Sequence, residues 1–86
     1  MNKYSVILSP RVQKSIRGVP DAYVSKIHKA LASLSDNPRP FGCLKLSGIE
    51  NLYRIRVGVY RVVYSIEDDI LVVEVIKIDH RRDVYK

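Results

Sequence analysis

Apolar residues recur along this chain with two different periods, and the change from one to the other falls near residue 43. Before it, "KYSVIL" (3–8) has the composition of a short strand. Ser9 and Pro10 then supply a helix start: a hydroxyl to cap free N–H groups, and a proline where a missing N–H costs nothing. The spacing predicts a helix to about Arg17, with Val12 and Ile16 on one face and Gly18 ending it. Val19-Pro20-Asp21 restarts the chain. From there Tyr23, Val24, Ile27, Ala30, Leu31 and Leu34 recur at three- and four-residue spacing, an apolar stripe on a longer helix with Lys26 and Lys29 toward solvent. "SDNPRPFG" (35–42) is a loop of turn formers.

After the loop the period is two. "CLKLSG" (43–48) reads as a short strand, and "LYRIRV" (52–57) alternates cleanly, Tyr53, Ile55 and Val57 on one face and Arg54 and Arg56 on the other. "VYRVVYSI" (59–66) and "ILVVEVIKI" (70–78) follow, with Gly58 and "EDD" (67–69) at the turns. Both are apolar on two faces, as strands near the middle of a sheet are. The order is β-α-α-β-β-β-β, an α+β fold in one domain, residues 1–86: an N-terminal strand, a helical hairpin and a four-stranded antiparallel run, with both helices on one face of the sheet. Turning the larger set Tyr60, Val62, Tyr64 and Ile66 toward the helices makes Tyr60 and Tyr64 core aromatics. Arg61 then shares the outer face with Arg54 and Arg56. Like charges opposite one another in a sheet repel. A face that gathers arginines without acidic partners makes sense if an anion lies over it.

Charge supports that expectation. Fifteen Lys and Arg against nine Asp and Glu give a net charge of +6 and favour an anionic partner. The excess sits in the helical half, +5 over residues 1–43 and +1 over 44–86. No apolar stretch is long enough to span a membrane, and the N-terminus does not read as a signal peptide. With Cys43 as the single cysteine, read as a buried or half-buried small apolar residue at the start of a strand, the expected compartment is a reducing cytoplasm. His28 lies beside the helix stripe without His, Cys or carboxylate company, so it is a surface histidine, and neither a metal site nor a cofactor is expected.

The chain closes on "DHRRDVYK" (79–86), its densest cluster of proton-transfer and anion-binding groups. His80, Arg81, Arg82 and Lys86 have a plain reading as a solvated tail, as Arg54 and Arg56 do as ordinary outward strand charges. "YRIRVGVYRVVY" (53–64) together with "HRRDVYK" (80–86) nevertheless resembles the RelE/ParE superfamily of toxins from type II toxin–antitoxin pairs, and size and element order extend the resemblance over nearly the whole chain.

The resemblance implies a chemistry. RelE-type toxins enter the ribosomal A site and cut messenger RNA within the codon, without metal: the ribose 2′-OH attacks the adjacent phosphate and the 5′-oxygen leaves. A base, an acid and fixed positive charge at the phosphate are needed. By this match Arg61 holds the scissile phosphate, its planar fork suited to the task. Arg54 and Arg56 grip the RNA backbone and Lys45 stands at the rim, with Arg82 and Lys86 as further RNA contacts. Tyr85 matches the C-terminal tyrosine that stacks on a base, and Arg81 the arginine near the leaving group. Arginine is a poor general acid and tyrosine a poor base unless cations surround it. A histidine titrates in the physiological range, which makes His80 a further candidate for proton transfer. The implied partners are the ribosome, messenger RNA and an acidic, helical RelB-like antitoxin that shields the arginine face or displaces the tail. Alternatives on the same fold are a ParE-type inhibitor of DNA gyrase and a non-catalytic basic RNA-binding domain.

Overall fold

The computed structural model describes residues 3–48 and 50–80. Strand β1 (Ser5–Leu8) leads into helix α1 (Pro10–Ser15), a 3-10 turn (Ile16–Gly18) and helix α2 (Asp21–Asp36). Strands β2 (Leu44–Lys45), β3 (Leu52–Val57), β4 (Tyr60–Glu67) and β5 (Val72–His80) follow. The sheet order is β1-β5-β4-β3-β2, with β1 parallel to β5 and the other neighbours antiparallel. The α+β fold expected from the periods is therefore present, and the two strands apolar on both faces stand at its centre. Among the described residues, no helix is long and apolar enough to cross a membrane.

Local chemistry sets the elements. Ser9 is extended (φ −64°, ψ 157°), and its Oγ accepts from the Val12 amide at 3.2 Å while donating to the Ile76 carbonyl at 3.3 Å. One hydroxyl thus caps α1 and pins it to β5. The predicted stripe of α2 buries Ile27, Leu31 and Leu34. They pack with Val12 against the inner faces of the strands, where Ile55, Val57, Val62, Tyr64, Val73, Val75 and Ile78 complete the core. The far end of α2 is tied to β1 by Ser35, whose carbonyl accepts from the Tyr4 amide at 2.9 Å and whose Oγ donates to the Tyr4 carbonyl at 2.7 Å.

One irregularity controls what the sheet displays. Val63 stands opposite Lys77 but Tyr64 stands opposite Val75, so β5 carries one extra residue, Ile76, at a bulge. The phase of β5 changes there. Val73 and Val75 are core residues, and beyond the bulge so is Ile78. Lys77 and Asp79, opposite Val63 and Arg61, are thereby turned to the outer face, and His80, opposite Tyr60, to the helix side.

The 37–42 loop is held at several points. Tyr64, fully buried, donates its hydroxyl to the Pro38 carbonyl at 2.7 Å. Burial raises this phenol above tyrosine's ordinary range. Arg39 reaches across to the β4–β5 turn, where its guanidinium meets the Asp68 carboxylate at 2.8 and 3.3 Å, and its Nε donates to Tyr53 Oη at 3.2 Å. Tyr4 donates to the same carboxylate at 2.6 Å. The Arg39 and Tyr4 hydrogen bonds hold the Asp68 carboxyl below its ordinary range.

Candidate functional site

The register assembles the three arginines. Arg54 stands opposite Val63 and Arg56 opposite Arg61, so all three leave the sheet on the side away from the helices. Gly58 and Val59 make the turn between β3 and β4, with positive φ (60°) at Gly58, a geometry that keeps strand twist continuous. Arg56 and Arg61 therefore face each other one pair in from the tip, with Cβ atoms about 5 Å apart, where two cations repel. Arg56 is exposed and Arg54 half-buried, while Arg61 is only 8% exposed. Full burial of an arginine is uncommon and holds its fork in a fixed direction.

One expectation about this face is corrected. It does contain an acid: Asp79, opposite Arg61, lies 2.9 Å from Lys77 Nζ. Lys77 and Asp79 were invisible to the period-two reading because the bulge reverses their phase. Lys45, expected at the rim, lies in the edge strand. It pairs with Tyr53, which places it on the helix side, and it is Leu44, opposite Arg54, that shares the arginine face.

His80 is likewise placed elsewhere. It ends β5 within the strand rather than opening a tail after Ile78. Its ring packs edge-on against Tyr60, 5.2 Å between centroids, and Tyr60 in turn meets Tyr23 at 5.3 Å. Sheet backbone thus separates His80 from the Arg61 side chain. Arg81, Arg82, Tyr85 and Lys86 lie outside the described residues. Tyr53 faces the core side, stacked with Tyr64 at 6.1 Å and covered by Arg39 at 5.3 Å, as its phase with Ile55 implied. His28 is on the exposed side of α2, and Cys43 is half-buried just before β2. Among the described residues no group of three or more His, Cys, Asp or Glu is placed to hold a metal ion. The groups concentrated on the outer face are guanidinium and ammonium, donors that bind phosphate and carboxylate.

Residues 6–85 match the family described as the ParE toxin of the type II toxin–antitoxin system parDE. The chain belongs to the RelE/ParE superfamily of toxins. A toxin candidate named RelE1 from Methanocaldococcus jannaschii is 31% identical over 98% of this chain and 97% of its own length. The archaeal RelE–RelB complex from Pyrococcus horikoshii contains a chain that superposes with a TM-score of 0.84, at 31% identity, covering 92% of this toxin and 96% of that chain. A chain of the intact E. coli RelBE toxin–antitoxin complex gives 0.79 at 28% identity, covering 90% and 95%. The toxin therefore shares its size, element order and sheet with RelE proteins.

Proposed function

We propose that the toxin is a ribosome-dependent messenger RNA endonuclease that acts without metal, and that the outer face of β3 and β4 is its phosphate cradle. The observation that carries this reading is Arg61, buried on that face with Arg56 directly opposite and Arg54 next along the strand. A buried, always-charged fork is aimed before substrate arrives and spends no reorganisation during the reaction, which is how fixed charge stabilises a developing phosphorane. The 2′-OH gives up its proton, attacks phosphorus, and the 5′-oxygen departs with a proton, leaving a cyclic phosphate. Proton transfer is assigned to Tyr85, with Arg81 as fixed positive charge at the leaving oxygen and Arg82 and Lys86 on the RNA backbone. His80, held against Tyr60 across the sheet from Arg61, is assigned to anchoring the chain from which those residues follow. Cations around a phenol are what bring it into range as a base.

The solved relatives bound to RelB support an antitoxin partner. An acidic antitoxin segment lying over Arg54, Arg56 and Arg61 would silence the cradle by occupying it. The match to a family described by ParE favours one second reading, inhibition of DNA gyrase on the same scaffold. Primer extension on a defined message in a cell-free translation reaction separates them. Wild type should cut at codon positions only with ribosomes present, and Arg61→Ala and Tyr85→Ala should slow cutting roughly a hundredfold or more. An intact message with impaired gyrase would establish the second reading.

A further inference from the structure

Beside the arginine face, the edge of the sheet is open. Strand β2 pairs only Leu44 and Lys45 with Arg54 and Tyr53, so Ile55, Arg56 and Val57 of β3 have no strand beyond them among the described residues. A groove of about 370 Å³ runs along this edge, with Ala30 and Ser33 of α2 on one wall, Ile55 and Arg56 on the other, and Pro40 and Phe41 at the end. A second hollow of about 230 Å³, between Leu44, Arg54 and Arg56, shares Gly42 and Arg56 with the first. Arg56 also borders the small depression that contains Arg61. One guanidinium therefore joins the phosphate cradle to a groove that turns the corner of the sheet.

Phe41 is the unexplained residue of that groove. It is fully exposed, and Leu44 near it is 52% exposed. A single exposed apolar side chain is ordinary. Phe41, however, sits on a loop built to hold it still. Pro38 is fixed by buried Tyr64, Arg39 by Asp68 and Tyr53, and Asn37 Oδ1 accepts from the Arg39 amide at 3.1 Å. The Cys43 amide closes a turn on the Pro40 carbonyl at 3.0 Å, and Gly42 takes a φ of 92°. A proline stands on each side of Arg39, and Phe41 follows the second. The loop keeps the Phe41 ring in water on the β2 side of the arginine face. Lys26 and Lys29, both exposed, stand one turn earlier on the side of α2 that lines the groove.

We propose that this groove is a second subsite for single-stranded RNA, in which a base next to the cleaved nucleotide stacks on Phe41 while its phosphate is held by Arg54 and Arg56. The proposal deepens the endonuclease reading and rests on it. Charge and chemistry select the occupant. The groove beside Phe41 is apolar apart from Ser33 and Arg56, but through Arg56 it runs into the hollow where Leu44 lies between Arg54 and Arg56, so an occupant must present a flat apolar face and an anion side by side, as a nucleotide does. Flat aromatic platforms alternating with cations are what bind a single strand independently of its sequence.

The test uses the whole toxin and a short single-stranded message with a 2′-deoxy residue at the attacking ribose, so that it stays intact. 2-Aminopurine is placed next to that residue, and the message is offered both free and on ribosomes. Wild type is expected to quench the fluorophore. Phe41→Ala should melt with wild type, abolish the quenching and weaken binding about tenfold, whereas Phe41→Trp should keep both. Unchanged quenching and affinity in Phe41→Ala would overturn the subsite and leave the endonuclease reading standing. So would a Phe41→Ala variant that loses affinity only for an acidic antitoxin peptide. Binding by wild type without quenching would overturn the subsite alone, and if wild type neither binds nor quenches in either setting, the RNA reading and the subsite fall together.

Discussion

Arg61 and Tyr64 belong to one strand, three residues apart, and show how a side chain's face decides its work. Arg61 is turned outward yet enclosed, so the direction of its charge is fixed on the outer face. Tyr64 is turned inward, stacked on Tyr53, and its one polar atom meets the Pro38 carbonyl at 2.7 Å. That bond is the buried foundation of the 37–42 loop. Tyr64→Phe keeps the ring and removes only the donor, leaving a buried carbonyl unpaired at a cost of about 1–3 kcal/mol. The denaturant midpoint should fall while the slope of the transition stays constant. An unchanged midpoint would mean that solvent reaches Pro38, and that the loop is held by Arg39 alone.

Among the elements, the β3–β4 hairpin was the most legible in the sequence and β5 the least. Strict alternation in "LYRIRV" leaves one register compatible with a buried face, so Arg54 and Arg56 could be placed outside from pattern alone. The apolar period of α2 and the Ser9-Pro10 start were equally direct, because each residue there obeys a local rule. β5 was different. "VVEVIKI" is apolar at nearly every position, and such a run contains no phase for a bulge to interrupt visibly. The extra residue at Ile76 depends on pairing with β4 and sends Lys77, Asp79 and His80 to faces that a continuous alternation reverses. The side taken by Lys45 was not legible for a related reason: a two-residue strand has too little alternation to declare it. The turn at Gly58 offers a test at this scale. A Cβ there would stand 2.9 Å from Tyr23 Cε1, on backbone with a φ of 60°. Gly58→Ala should therefore destabilise the toxin by about 1–3 kcal/mol and disturb the Arg56–Arg61 pair. Chemical denaturation reads the first effect and RNA cleavage the second; wild-type behaviour in both would show that the turn is not under strain.

At the scale of the molecule, two layers divide the labour. The helices and the inner sheet face form the core, while the outer face, which carries no helix among the described residues, is available for charge. The net charge of +6 assists approach to any polyanion, and fixed arginines give the approach a destination. What separates a phosphate cradle from a merely basic surface is chemistry at the bound strand. The most direct measurement is a translation reaction with wild-type toxin on two messages that differ by one oxygen, the 2′-hydroxyl of the nucleotide before the mapped cut. The account predicts cleavage of the all-ribose message, with a cyclic phosphate on one product and a 5′-hydroxyl on the other, and no cut at that position in its 2′-deoxy twin. Equal cleavage of both messages, or none of either alongside inhibited gyrase, would contradict it.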